Sequence, residues 1–278
     1  MMSREEMHRQ KQQADASVKQ PRHHHFGATF LGILLTMVMA IAILLNATVL
    51  DADFAADELA DSPISTQLQE EVNGSLSEYG VSGSLLTTNE THRLVRQAVK
   101  QVYAGKSIKL DLTNVEKRLQ SKVDDELGSY GLSTSLLPSS ATSEFNQQLT
   151  NQVNQKLNTD EVQTAAKTIT TVKTVVNVLL AISGVALAVL IVWSLFKHCF
   201  LAVFSWSTAW SAGLYFGFVW LIKLGINQAA QEQPDYASTI ATIGNDVLTR
   251  GWRIAWLLLA LALVGWLLRG GLRIVRRH

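Results

Sequence analysis

The sequence predicts an all-α membrane protein: four transmembrane helices, with an extracytoplasmic duplicated helical domain between the first and the second. Three observations carry that prediction. No Asp, Glu, Lys or Arg occurs in 23–50, 174–196, 198–222 or 254–268, and charge-free apolar stretches are what a hydrocarbon core of about 30 Å selects. Lys and Arg gather beside the spans at both chain ends and in the turn between the second and third, which fixes one side as the cytoplasm. The segment between the first two spans overlays itself at a shift of 51 residues, a repeat signal that precedes any other fold argument.

The whole-chain averages are uninformative by comparison. With 278 residues, 24 Lys+Arg against 23 Asp+Glu and 47% hydrophobic content, they exclude a disordered or collagen-like chain. The charge gaps exclude a wholly soluble one.

Residues 1–25 form a cytoplasmic basic tail carrying Arg4, Arg9, Lys11, Lys19 and Arg22. His23, His24 and His25 beside Arg22 read as part of that basic flank rather than as a metal site. The first span, 26–50, exceeds the ~7–15-residue apolar core of a signal peptide and has no Ala-x-Ala site after it, so it reads as an uncleaved anchor.

Residues 51–171 form the outer domain, with 17 acidic and 10 basic residues for a net of −7. Its repeats cover about 62–105 and 113–158. LQEEVNGSLSEYGVSGSLL at 68–86 matches LQSKVDDELGSYGLSTSLL at 119–137 with ten identities in nineteen positions. Each repeat reads as helix, turn, helix. Ser62 with Pro63 starts the first, and Thr113-x-x-Glu116 is a capping box for the second. Gly80 and Gly131 follow as left-handed helix ends, with Leu76 against Val81 and Leu127 against Leu132 in the hydrophobic contact of a Schellman motif. The repeated Tyr-Gly-x-Ser-x-Ser-Leu-Leu is therefore read as helix capping and core rather than as a binding motif.

The second helices span about 88–103, capped by Thr87-x-x-Glu90, and about 143–157. Gly105 breaks the chain, and the alternation of 107–112 predicts a short extended connector. From Asp160 a helical rhythm without Gly or Pro leads directly into the second span, 172–196, so the outer domain is expected to couple rigidly to it.

A two-residue cytoplasmic turn, 197–198, joins the second span to the third, 199–222, as a tight hairpin. Residues 223–250 are an outer loop holding an amphipathic helix, with Tyr236, Ile240, Ile243 and Val247 on one face. The fourth span, 251–272, carries Arg253 and Arg269 near its ends, where they snorkel, and 273–278 is a cytoplasmic basic tail. In the third span Ser205, Ala209, Gly213 and Gly217 form a small-residue stripe ending in G-x-x-x-G, the spacing that lets helix backbones approach closely. Packing among the chain's own helices is the favoured use, and a homo-oligomer contact through this span is the other.

No phosphate loop, nucleophile elbow or metal-ligand spacing is present, so neither an enzyme nor a cofactor, a metal or a nucleic-acid partner is expected. His92 reads as solvated, and Asp124, Asp125 and Glu126 point about 100° apart on successive helical positions, too divergent for one ion. A proton-coupled transporter usually carries ionisable groups inside the membrane, and none lies mid-span. Cys199 is the lone cysteine, so no intrachain disulfide forms, which suits a Gram-positive surface. The reading is a non-enzymatic, multi-pass protein of a bacterial cell membrane whose outer domain binds or senses an envelope component or partner protein. The alternative is a subunit of an oligomeric channel or transporter.

Topology is directly testable. In a Cys199→Ser background, cysteines at Ser82 and Ser133 should react with impermeant maleimide on intact cells, and cysteines in either terminal tail should not. Labelling of a tail in sealed cells would reverse the orientation.

Overall fold

The computed structural model describes residues 26–63, 65–66, 69–70, 73, 86–129, 147, 150–151, 153–197 and 200–275. Among them every regular element is helical. They are α1 (Phe26–Ala47), α2 (Ala52–Ala60), α3 (Thr88–Tyr103), α4 (Thr113–Ser129), α5 (Asp160–Phe196), α6 (Phe200–Glu232) and α7 (Ala237–Val275), with one 3₁₀ turn at Pro234–Tyr236. Four of these, α1, α5, α6 and α7, are long and apolar enough to cross a membrane. The build is that of a multi-pass membrane protein.

Three of the four are longer than a bilayer requires. At 1.5 Å per residue, the 37 residues of α5 extend about 55 Å, nearly twice a hydrocarbon core of about 30 Å. Thr159 caps its start by accepting from the Val162 N–H, and no break separates the polar first half from the apolar second. The continuity expected from 160 onward is thus present as a single helix.

Residues 223–250 differ from expectation. Instead of a separate amphipathic helix, they are the facing ends of α6 and α7, interrupted only at 233–236. Pro234 accounts for the interruption: it fits the first turn of a new helix but cannot donate within an existing one. Apolar contacts on both sides extend the helical pair past the charge-free stretch, with Ile226 lying under Gly244.

α6 and α7 pack along their length, and α1 packs on α6 and α5 about equally. The expected hairpin of the second and third spans is therefore only a covalent one. Joined by a turn, α5 and α6 touch little, because α1 takes up the packing surface of each. The shared core of α1, α6 and α7 comprises Ala40, Leu44, Tyr215, Val219, Leu248 and Ala255, while Ala42 and Leu50 meet Val176 of α5.

Small residues set how closely these helices approach. A Cβ on Gly32 of α1 would sit 3.0 Å from the Ser207 Cβ, and one on Gly265 of α7 would sit 2.8 Å from the Ser205 Oγ. Between them the Ser211 hydroxyl donates to the Ile33 carbonyl at 3.0 Å. Lipid is as apolar as leucine, so van der Waals contact and interhelical hydrogen bonds of this kind, rather than hydrophobic burial, hold spans together.

The packed seam of α6 runs Ser205, Thr208, Ala212, Tyr215 and Val219, all buried. Its steps alternate three and four residues, which keeps a 3.6-residue helix on one face. The expected stripe Ser205, Ala209, Gly213 and Gly217 steps strictly by four and so winds about 40° further round at each step. Only Ser205 belongs to both. Ala209 is half-buried, and Gly213 and Gly217 are exposed with nothing within 4 Å of an added Cβ. Among the described residues, nothing packs on the G-x-x-x-G pair.

Leucine substitutions separate the two sets. Gly32→Leu and Gly265→Leu should lower the thermal midpoint of the detergent-solubilised monomer by several degrees, since overpacking costs about 1–3 kcal/mol. Gly213→Leu and Gly217→Leu should leave it unchanged. A loss of monomer stability from the latter pair would show that the seam has been placed on the wrong face.

Candidate functional site

Several described polar residues between α1 and α5 meet at the end of α1. A turn at 48–50 follows that helix, and Asp51 then caps α2, its carboxylate accepting from the Asp53 and Phe54 N–H groups at 2.8 and 3.2 Å. Because Asp53, Asp57 and Asp61 recur every four residues, they share one face of α2. Lys100, Arg96 and His92 do the same on α3. The two faces meet antiparallel, with Lys100 on Asp53 at 2.6 Å, Arg96 on Asp57 at 3.0 Å and His92 on Asp61 at 3.3 Å. The Lys100 ammonium holds the Asp53 carboxyl below its usual range, and the carboxylate raises Lys100 in return. All these groups are solvent-accessible, and water and salt screen such exposed pairs strongly. The ladder fixes register more than it adds stability.

α3 begins as expected at the Thr87 cap: the Glu90 carboxylate accepts from the Thr87 N–H at 3.4 Å and its hydroxyl at 3.2 Å. Glu90 is buried and also receives Arg118 of α4 at 2.6 Å. A buried carboxylate that keeps three donors is a stronger tie than any rung of the exposed ladder. The expected capping box at Thr113 is different. Asp111 does the capping, accepting from the Thr113 N–H at 3.1 Å and its hydroxyl at 2.7 Å, and Glu116 instead accepts from the Thr150 hydroxyl at 3.0 Å. Asp111 lies two residues upstream, within the reach of an Asx turn, and so replaces Thr113 as the cap.

Gly105, at φ +67°, turns the chain out of α3 against Thr170 of α5. The extended connector then follows, with Ile108 and Leu112 buried. Among the described residues it has no neighbouring strand, and side-chain amides satisfy its backbone from two sides. The Ile108 and Leu110 N–H groups donate to Asn158 and Asn154 at 2.7 and 3.0 Å. Lys109 donates to Gln101 at 2.6 Å, and its carbonyl accepts from Gln97 and Gln101 at 3.0 and 2.9 Å. A pleated backbone points successive amides to opposite sides, which is why asparagines serve the even residues and glutamines the odd.

Three side chains tie the spans to this polar region or to one another at the same level. The Tyr103 hydroxyl donates to the Val49 carbonyl at 2.8 Å, Asn46 donates to Asn177 of α5 at 2.9 Å, and Arg250 of α7 donates to the Ala47 carbonyl. The Arg250 guanidinium also lies 4.3 Å over the Phe54 ring.

Of the residues singled out in the sequence, Gly80 and Gly131 lie outside the described residues, as does most of the repeated motif. Asp124 is exposed. His92, read as solvated, is a rung of the ladder. Sequence reasoning missed Arg250, yet the i+4 spacing of three aspartates and of His92, Arg96 and Lys100 was visible and signals paired faces. Comparison with protein-family models, curated proteins and solved structures finds no match.

Proposed function

We propose that the chain is a non-enzymatic integral protein of a bacterial cell membrane, with both termini cytoplasmic. In this reading the duplicated domain at 51–171 faces outward and binds or senses an envelope component or partner protein. The observation that carries it is α5, a single helix from Asp160 to Phe196. A stiff rod with its first half among the polar elements and its second among the spans transmits displacement of one to the other. Tyr103 and Gly105, at the end of α3, rest on the α1 turn and on α5, so a load on α3 reaches two spans.

The alternative is a subunit of an oligomeric channel or transporter assembled through α6. The outward position of Gly213 and Gly217 favours it, since a G-x-x-x-G face left unused within the chain is suited to a second copy.

The full-length protein discriminates the two. Photocrosslinking residues at Thr88 and Lys117, both exposed, should yield a discrete adduct in intact cells, and the purified protein in vesicles should pass no ions above protein-free controls. Ion flux, together with an oligomer that Gly213→Leu dissociates while the monomer stays folded, would overturn the binding reading in favour of the channel.

A further inference from the structure

The end of the bundle away from α2 and α3 carries charge of one sign. No Asp or Glu occurs in 16–50, 162–231 or 247–278, whereas Arg22, Lys197, Arg269, Arg273, Arg276 and Arg277 flank the spans there. Tryptophans mark the same end. The Lys197 Nζ lies 6.0 Å over the Trp193 ring, and the Trp206 and Trp266 rings meet at 5.8 Å across α6 and α7. Tryptophan gathers where hydrocarbon gives way to headgroups.

Arg269 is the cation at this end that packing partly covers. Gly265, one turn before it on the same face of α7, lies against Ser205 and Phe204 of α6. Antiparallel packing therefore carries Arg269 to the first turn of α6. It is half-buried there, while Leu267, Leu268 and Gly270 around it are exposed. Among the described residues it forms no ion pair or hydrogen bond. A guanidinium holds five donors in a fork that fits a phosphate, and desolvating it without an anion is costly. The start of α6 supplies no counter-charge, since its first N–H groups are themselves unpaired donors.

We propose that Arg269 holds the phosphate of an anionic phospholipid at the end of the α6–α7 seam, with an acyl chain over Trp206 and Trp266. Trp266 is three residues before Arg269 and so its neighbour on the surface of α7. Both rings keep an open face, at 45% exposure for Trp206 and 51% for Trp266. Cation above and apolar rings below match the two parts of a lipid, whereas an acidic peptide would satisfy only the first. The chain's own acidic residues next to this end, Glu5, Glu6 and Asp15, precede α1 by eleven residues or more. The site depends neither on what the outer domain binds nor on which leaflet this end occupies, and its failure would leave that reading intact.

The test places the full chain in phosphatidylcholine vesicles holding a minority of phosphatidylglycerol, with bromine on the acyl chains of one lipid or the other. At equal mole fraction, brominated phosphatidylglycerol should quench tryptophan fluorescence more than brominated phosphatidylcholine. Arg269→Gln should lower that preference about fivefold, the effect of one cation near the membrane surface, and Arg269→Lys should keep most of it. Lys197→Gln, the same charge change at the end of α5, should leave it intact. Trp206→Phe combined with Trp266→Phe should remove the excess quenching. A preference that survives Arg269→Gln, falls equally with Lys197→Gln, or remains without the two tryptophans would overturn the site. Displacement by inorganic phosphate at matched ionic strength would show a simple ion site and overturn the lipid. A preference that appears only after Glu5→Gln, Glu6→Gln and Asp15→Asn would assign Arg269 to the N-terminal tail instead.

Discussion

An α-helix leaves its last carbonyls without partners inside the helix, and the way α1 meets this constraint organises everything around it. The Thr48 hydroxyl and the Leu50 N–H turn back to the Leu44 and Leu45 carbonyls. The Ala47 carbonyl receives Arg250 from the far end of the chain. A cation at a helix C-terminus contributes about 0.3–1 kcal/mol when exposed and up to about 2 when partly buried, and its stacking on Phe54 adds about 0.5–2. One side chain thus caps the first span, seats α2 and aligns α7. Tyr103 and Asn177 complete the junction from α3 and α5.

The same helix divides the bundle. α1 offers one face, through Gly32, Ile33, Ala40 and Leu44, to α6 and α7, and another, through Ala42, to α5. The α6–α7 pair is aromatic as well as small-residue in character: Phe216 meets Trp252 and Trp256, and Trp206 meets Trp266. Among the described residues α5 packs chiefly on α1 over its apolar half and exposes Val178, Ile182, Val185 and Val189, surfaces suited to lipid.

Much of this was legible in the residues, for identifiable reasons. The four spans follow from charge gaps, α3 from its Thr87–Glu90 cap, and α5 from an unbroken helical rhythm. The connector followed from alternation, although alternation alone does not reveal that Asn154, Asn158, Gln97 and Gln101 replace neighbouring strands. The G-x-x-x-G pair lies off the buried seam because strict i+4 spacing looks like a face over two turns and drifts off it over four. The Phe54–Arg250 register was invisible, since it joins residues almost two hundred positions apart and depends on the path of the helices α3 to α6 between them. Asp111 displaced Thr113 as a cap because both are competent and only the backbone path decides between them.

Hydrogen exchange on the full-length chain carrying Arg250→Met tests the central role of the α1 end most directly. Methionine keeps the stem but removes the donor and the charge. The account predicts that amides of 48–60 exchange about tenfold faster or more, one factor of ten for each ~1.4 kcal/mol lost, while amides of α6 around Tyr215 keep their protection. Unchanged protection throughout 48–60 would contradict it and show that α2 is held in place without Arg250.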